Sequence, residues 1–190
     1  MQQVTEIRWH ARGGQGAVTA AKMVAEVALS QDKYFQAFPE YGPERSGAPI
    51  VAFTRLSDEP IQIYSAIEHP DYVLVLDDTL LDVVDVTSGT GEGAVVIVNS
   101  EEDAAGLARR PEMKGKKVFT VPATRIAVET IKRPIPNTPL IGALAKVSGL
   151  FPVEGVLDEV KTTLSKKFNE EVVNANLEAV KRGYEEVSGE

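Results

Sequence analysis

One stretch near the start of the chain limits the fold more than any other, because a strand pattern runs through a glycine turn into a helix pattern. Residues 5–10, TEIRWH, are rich in β-formers, and residues 17–29, AVTAAKMVAEVAL, carry apolar side chains at helical spacing. Residues 11–16 between them read A-R-G-G-Q-G. A strand, a tight turn and a helix in this order predict a β–turn–α unit, which is typical of open α/β sheets.

The rest of the chain continues this alternation of strands and helices. Two continuous apolar runs, YVLVL at 72–76 and AVVIV at 94–98, indicate strands that are buried on both faces, as in a parallel sheet. Further strand patterns occur at 33–38 and 117–123. Helix patterns occur at 79–85, 101–110, 124–133, 138–150, 153–168 and 169–187. We therefore predict a single α/β domain over residues 1–190, with a doubly wound, mostly parallel sheet flanked by helices and a helical C-terminus.

The segment between the strand pattern at 33–38 and the one at 72–76 departs from the alternation of strands and helices. IVAFTRL at 50–56 and IQIY at 61–64, joined by SDEP, predict a β-hairpin insertion. The preceding residues 39–49, PEYGPERSGAP, are dense in proline and glycine and predict an irregular loop. Arg45 in this loop would present a planar fork of donors that suits a carboxylate or a phosphate.

Composition and charge narrow the class of protein. The chain has 20 Lys and Arg against 28 Asp and Glu, for a net charge of −8, which opposes binding to a polyanion, so we expect no nucleic acid partner. The apolar runs are much shorter than the roughly 20 residues that span a bilayer. The N-terminus shows no basic region followed by an apolar core. We therefore expect a cytoplasmic protein without a membrane segment.

Several kinds of chemistry lack the residues they need. The chain contains no cysteine, so it cannot supply the thiolate ligands of an ordinary iron–sulfur cluster. Its two histidines, His10 and His69, are not at metal-ligand spacing. No G-x-S-x-G motif is present for a nucleophilic serine. We expect neither a metal site nor a hydrolase centre on this chain.

The glycine turn itself has two interpretations that the residues alone leave open. It matches the dinucleotide motif G-x-G-x-x-G at Gly13 and Gly16, but Ala11 stands in place of the first glycine. Free N–H groups at a helix start suit a pyrophosphate, as in an NAD-dependent oxidoreductase, and Gln15 would add an amide donor. The alternative is that the glycines only allow the strand, turn and helix to pack closely.

Two pairs of polar residues stand beside predicted strands or helices. Asp77 and Asp78 follow a buried strand, where ligands of doubly wound sheets bind, but we favour a capping role for them. Asn137 and Thr138 precede a predicted helix, and we favour one of them as its N-cap.

Three stretches together resemble one family. RGGQGAVTAAKMVAEVA, AFPEYGPERSGAPIVAFTRLSDEPI and IPNTPLIGAL are similar to the gamma subunit of 2-oxoacid:ferredoxin oxidoreductases, and most similar to that of pyruvate:ferredoxin oxidoreductase, also called pyruvate synthase. The similarity extends to the end of the chain, FNEEVVNANLEAVKRGYEEV. Two positions depart from the family: Ala11 replaces the first glycine of G-x-G-G-Q-G, and Ser46 lies in an R-S-G segment where many relatives have two glycines.

The resemblance implies a subunit of an enzyme that converts pyruvate and coenzyme A into acetyl-CoA and carbon dioxide, with electrons passed to ferredoxin. It implies alpha, beta and delta partner subunits that carry thiamine diphosphate, magnesium and iron–sulfur clusters, none of them held by this chain, which alone would be inactive. For this chain it implies packing on the thiamine-binding subunits and help in binding coenzyme A. The residues expected to contact the coenzyme A phosphates or a partner are Arg12, Gly13, Gly14, Gln15 and Gly16, followed by Arg45. Gamma subunits for 2-oxoisovalerate, 2-oxoglutarate or indolepyruvate stay open as alternatives.

Overall fold

The described part of the chain is built around one twisted sheet. A computed structural model of the protein describes residues 4–40 and 47–189. These residues form a sheet of seven strands in the order β2-β3-β1-β4-β5-β6-β7. The strands are β1 (Val4–Arg12), β2 (Tyr34–Glu40), β3 (Pro49–Ser57), β4 (Tyr72–Val75), β5 (Val95–Asn99), β6 (Lys117–Val121) and β7 (Ser188–Gly189).

The direction of the strands follows the chain's path through the sheet. The central strands β1, β4, β5 and β6 are parallel to one another. Strand β3 pairs antiparallel with both β1 and β2, and β7 pairs antiparallel with β6. The chain thus extends the sheet from β1 in both directions, which confirms the predicted doubly wound α/β class.

Helices flank the sheet and form the C-terminal part of the chain, as predicted. They are α1 (Ala17–Leu29), α2 (Ala104–Leu107), α3 (Ala123–Ile131), α4 (Asn137–Ser148), α5 (Val153–Ser165) and α6 (Glu170–Glu186). The helix predicted over 101–110 is reduced to the single turn α2. The stretch predicted as helical at 79–85 is a 3-10 turn over Asp78–Asp82.

The sheet carries an apolar core on each face, which explains the continuous apolar runs. Side chains alternate between the faces of a strand, so Leu74 and Ile97 join the larger core with α1, α4, α5 and α6. Val73 and Val96 instead join a smaller core beneath the 3-10 turn and α2. The strands therefore need apolar residues at consecutive positions, as expected for strands buried on both faces.

The hairpin prediction was wrong about its second strand. Residues 50–56 lie within β3, but residues 61–64 form neither strand nor helix. The hairpin partner is β2, and the connection between them includes residues 41–46, which lie outside the described residues. Both edges of β3 are already hydrogen-bonded, one to β1 and one to β2, so no edge is left for 61–64.

Pro39 belongs to the segment 39–49 that was predicted as an irregular loop, but the structure places it in a strand. It lies inside β2, opposite Ala52 of β3. Since β2 is the edge strand of the sheet, one side of its backbone has no neighbouring strand among the described residues. An edge position tolerates a residue without an N–H donor.

Candidate functional site

The candidate site lies where the chain changes direction across the sheet. After β1 the chain builds β2 and β3 on one side, and after β3 it crosses to β4 on the other side of β1. Ligands of open α/β sheets bind in the crevice outside the carboxyl ends of the strands at such a switch point. Two segments occupy this crevice: residues 12–16, which we call the glycine turn, and residues 77–79 after β4.

The backbone of the glycine turn requires glycine at two positions. Gly14 has φ of +101° and Gly16 has φ of +85°, both in the left-handed region. Gly16 is the N-cap of α1, and no side chain caps that helix. Within the described residues, no group accepts a hydrogen bond from the N–H of Gly14 or Gly16. Among residues 4–40 and 47–189, these two donors at the positive end of a helix are thus without a partner.

The side chain of Gln15 links the two segments of the crevice. Its Oε1 accepts a hydrogen bond from the backbone N–H of Arg12 at 2.8 Å. Its Nε2 donates to Oδ2 of Asp77, also at 2.8 Å. The amide donor that the sequence offered to a ligand is thus directed to Asp77 in this structure.

Arg12 spans the crevice above Asp77. Its guanidinium donates to Oγ1 of Thr79 at 2.8 Å and to the carbonyl oxygen of Gly47 at 3.3 Å. Its Nε lies 3.4 Å from Oδ2 of Asp77, and the two side chains are 30% and 17% exposed. Arg12 therefore links the end of β1 to the residues that follow β4, and its side chain stays partly exposed to solvent.

Asp77 is the anionic centre of this cluster. Its Oδ1 accepts from the backbone N–H of Thr79 at 3.1 Å and from the Thr79 hydroxyl, which confirms the predicted capping role. Burial acts to raise the pKa of Asp77, but hydrogen bonds from Thr79 and Gln15 and the charge of Arg12 together lower it below its ordinary value. Asp77 is thus held ionised in the crevice.

The connection between β2 and β3 contacts the glycine turn through Ala48, just before β3. The N–H of Gly13 donates to the carbonyl oxygen of Ala48 at 3.0 Å. Arg45 and Ser46 lie outside the described residues. Two of the three stretches that carry the family resemblance therefore contact each other at the crevice.

The third stretch meets the turn through Asn137, whose contact with the turn the sequence did not predict. The N-cap prediction for Asn137 and Thr138 was wrong, because the N-cap of α4 is Pro136 and no side chain caps it. Asn137 is instead buried, with Nδ2 at 3.5 Å from the carbonyl oxygen of Gly16. Its Oδ1 accepts from the backbone N–H of Thr138 at 2.8 Å. No local signal marks a pairing between residues 121 positions apart.

We expect the two left-handed glycines to differ in their tolerance of alanine. A Cβ at Gly16 would lie 2.6 Å from Nδ2 of Asn137, whereas a Cβ at Gly14 would meet nothing within 4 Å. Gly16→Ala should therefore lower the free energy of unfolding by about 2 kcal/mol, and Gly14→Ala by about 1 kcal/mol for backbone strain alone. Urea unfolding of both variants measures the difference, and equal losses would contradict the close contact with Asn137.

Apart from the crevice, a cavity lies on the face of β1 that points away from the larger core. Arg8 and His10 line this cavity, and they alternate along β1 with the core residues Ile7 and Trp9. It has a volume of about 440 Å³ and is also lined by β2, β3 and two loops. Arg8 donates through Nε to Nε2 of His10 at 3.1 Å and through Nη2 to the carbonyl oxygens of both Val86 and Ser88. Burial, and secondarily the charge of Arg8, lowers the pKa of His10 to about 4.

Within residues 4–40 and 47–189, no group of three or more His, Asp or Glu side chains is placed to hold a metal ion. In the same part of the chain, no helix has the length and apolarity to cross a membrane.

Comparison with known proteins defines the class to which this fold and site belong. The family model described as pyruvate ferredoxin/flavodoxin oxidoreductase matches residues 6–186. Because this match spans almost the whole chain, the protein belongs to that family, as the sequence motifs predicted. Its similarity to particular relatives makes it a gamma-type subunit of a pyruvate or 2-oxoacid ferredoxin oxidoreductase.

Those relatives are similar over nearly their full length. Pyruvate synthase subunit PorC of Thermotoga maritima is 48% identical over 182 residues, which cover 96% of this chain and 94% of the relative. The pyruvate/ketoisovalerate oxidoreductases common subunit gamma of Pyrococcus abyssi is 48% identical over 177 residues, which cover 93% of this chain and 96% of the relative.

Solved structures share the fold. The crystal structure of pyruvate oxidoreductase subunit PORC from Thermotoga maritima superposes with a TM-score of 0.88 at 44% identity, over 99% of both chains. A 2-oxoglutarate:ferredoxin oxidoreductase from Magnetococcus marinus, solved with 2-oxoglutarate, coenzyme A and succinyl-CoA bound, has a TM-score of 0.75 at 18% identity. That match covers 96% of this chain and 31% of the other, and it shows the fold alone.

Proposed function

We propose that this chain is the gamma subunit of an enzyme that oxidises pyruvate with coenzyme A to acetyl-CoA and carbon dioxide and passes the electrons to ferredoxin. The name of the Thermotoga relative supports pyruvate as the substrate, and the name of the Pyrococcus relative gives both pyruvate and ketoisovalerate. We further propose that residues 1–190 act as one gamma-type domain in the cytoplasm, inactive alone and assembled with alpha, beta and delta subunits. The comparisons do not favour a free-standing NAD-binding oxidoreductase.

The donor chemistry of the chain supports a role without a redox cofactor of its own. An iron–sulfur cluster needs thiolate ligands, and the chain has no cysteine, so its residues do not fit such a cluster. We therefore propose that the clusters, thiamine diphosphate and magnesium belong to the partner subunits, and that this chain packs on the subunits that bind thiamine diphosphate.

For the glycine turn we propose a direct role in holding the phosphate groups of coenzyme A. The observation that carries this proposal is the uncapped start of α1 at the switch-point crevice, where the N–H groups of Gly14 and Gly16 have no acceptor among the described residues. Backbone N–H groups at a helix start bind phosphate through hydrogen bonds and the helix dipole. Arg12 adds a cation 30% exposed beside them.

The remaining residues of the turn have supporting roles in this proposal. Gly13 is bonded to Ala48 and Gln15 to Asp77, so both shape the turn around a phosphate. Arg45 stays a proposed second cation for the same ligand. An overall charge of −8 opposes binding of an anion by this chain alone, so we propose that coenzyme A binds in the assembled enzyme.

Arg12→Gln tests the proposed contact with coenzyme A. In the assembled enzyme we expect the KM for coenzyme A to rise about tenfold, because one charge-assisted hydrogen bond to a phosphate is lost, while kcat at saturating coenzyme A changes little. Steady-state pyruvate oxidation measures both constants. Arg109→Gln is the matched control, since Arg109 is exposed near α2, away from the crevice.

The result for Arg12→Gln distinguishes a contact with coenzyme A from a contact with a partner subunit. An unchanged KM in Arg12→Gln would rule out a contact between Arg12 and coenzyme A. Loss of co-elution with the other subunits in size-exclusion chromatography would instead place Arg12 at a subunit interface. Assay of the wild-type complex with pyruvate, 2-oxoisovalerate, 2-oxoglutarate and indolepyruvate tests the proposed substrate.

A further inference from the structure

The crevice at the glycine turn already contains an anion of the protein itself. The carboxylate of Asp77 accepts from Nε2 of Gln15 at 2.8 Å and lies 3.4 Å from Nε of Arg12. These are the two side chains of the turn that carry donors for a phosphate. Asp77 therefore uses the same donors that a bound phosphate would use.

The charges of the crevice are balanced by this arrangement. Arg12 contributes one positive charge, and Asp77 cancels it at salt-bridge distance. The neighbouring Asp78 is turned to another partner, because its Oδ2 accepts from the hydroxyl of Ser100 at 2.8 Å. A site for phosphate groups gains affinity from positive charge, so an ionised carboxylate among its donors weakens binding.

We propose that Asp77 is an internal competitor for phosphate, which positions Arg12 and Gln15 in the free protein and limits the affinity of the glycine turn for coenzyme A. The proposal rests on the proposed function, in which the turn holds coenzyme A phosphates. A phosphate that binds at the N–H groups of Gly14 and Gly16 is repelled by the Asp77 carboxylate and competes with it for Arg12. Weak retention favours the release of acetyl-CoA, which carries the same phosphates as the substrate.

Removal of the Asp77 charge tests this inference in the assembled enzyme. Asparagine keeps a side-chain oxygen that can cap Thr79 but has no charge. We expect Asp77→Asn to lower the Kd of coenzyme A about 3- to 10-fold, as expected when one like charge a few ångströms from a phosphate is removed near a protein surface. Isothermal titration calorimetry gives the Kd, and Asp158→Asn is the matched control. Asp158 is exposed on α5, outside the two segments of the crevice, so its loss of charge should leave the Kd unchanged.

Two further probes show whether charge, and not a loosened turn, causes the change. Inorganic pyrophosphate should gain affinity in Asp77→Asn as coenzyme A does, whereas pantetheine, which lacks phosphate, should not. The gain should also shrink as salt is raised, because salt screens the interaction between exposed charges. Asp77→Ser, which can also cap Thr79, repeats the test if the asparagine variant does not assemble.

Each outcome has a definite meaning. An equal or higher Kd for coenzyme A in both Asp77 variants would overturn the competitor role, and so would an equal gain for pantetheine. If the wild-type complex binds coenzyme A but Arg12→Gln binds it equally well, the proposed phosphate site fails, and the competitor role fails with it. If Arg12→Gln binds weakly and Asp77→Asn is unchanged, only the competitor role fails.

Discussion

Gly183→Ala is expected to lower the free energy of unfolding by about 3 kcal/mol, one of the two largest effects that we expect of a single change. A Cβ at Gly183 in α6 would lie 2.0 Å from the carbonyl oxygen of Pro139 in α4. The reverse contact is equally close, since a Cβ at Gly142 would lie 2.1 Å from the carbonyl oxygen of Val180. The two helix backbones therefore touch, and an added methyl group must push them apart.

Urea unfolding of the isolated chain measures this effect, and α5 offers the matched control. Gly155 is also inside a helix, but the nearest atom to its added Cβ is Nε2 of Gln31 at 3.2 Å, the end of a flexible side chain. Gly155→Ala should therefore be neutral or stabilise by about 0.5–1 kcal/mol through the better helix propensity of alanine. A loss below about 1 kcal/mol in Gly183→Ala would show that α4 and α6 separate easily.

The contact between α4 and α6 also bears on the site. Helix α4 begins at Asn137, which lies against the carbonyl oxygen of Gly16. Thr138 continues this buried polar cluster to α6, with Oγ1 at 3.1 Å from Oδ1 of Asn176. The position of the glycine turn therefore depends on helices that are far from it in sequence.

The sequence predicted the sheet well where the pattern is local. The strand, glycine turn and helix at the N-terminus occur as expected, because a period of two followed by helical spacing specifies each element without its neighbours. The hairpin prediction failed because a strand also needs a free edge. Ile63 and Tyr64 are β-formers, but they are 38% and 89% exposed, since both edges of β3 are occupied.

The sequence predicted those parts of the candidate site that depend on local patterns, but not the contacts between distant segments. Spacing located the glycine turn, and position after a strand located Asp77. Spacing could not show that Gln15 bonds to Asp77, or that Asn137 approaches Gly16, because tertiary packing brings these residues together. A turn that reads as a free phosphate site in the sequence is therefore partly occupied by the protein's own side chains.

His10 should make the stability of the protein depend strongly on pH, in the acid range. Its pKa is about 4 in the folded protein and 6.5 ordinarily, because burial and the charge of Arg8 disfavour the imidazolium. Between these values the unfolded chain binds a proton that the folded chain does not, so the free energy of unfolding falls as the pH falls from about 6.5 to about 4. The expected loss is on the order of 3 kcal/mol.

His10→Gln isolates this effect, because glutamine keeps an acceptor for Nε of Arg8 but does not titrate. Urea unfolding of the wild type and the variant at several pH values between 7 and 4 gives the two slopes, and their difference reports His10 alone. Asp77, whose pKa is lowered, also loses stabilisation as the pH falls, and it does so in both proteins. Equal slopes in the wild type and His10→Gln would contradict this prediction, because His10 would then bind its proton over the same pH range in the folded and the unfolded chain.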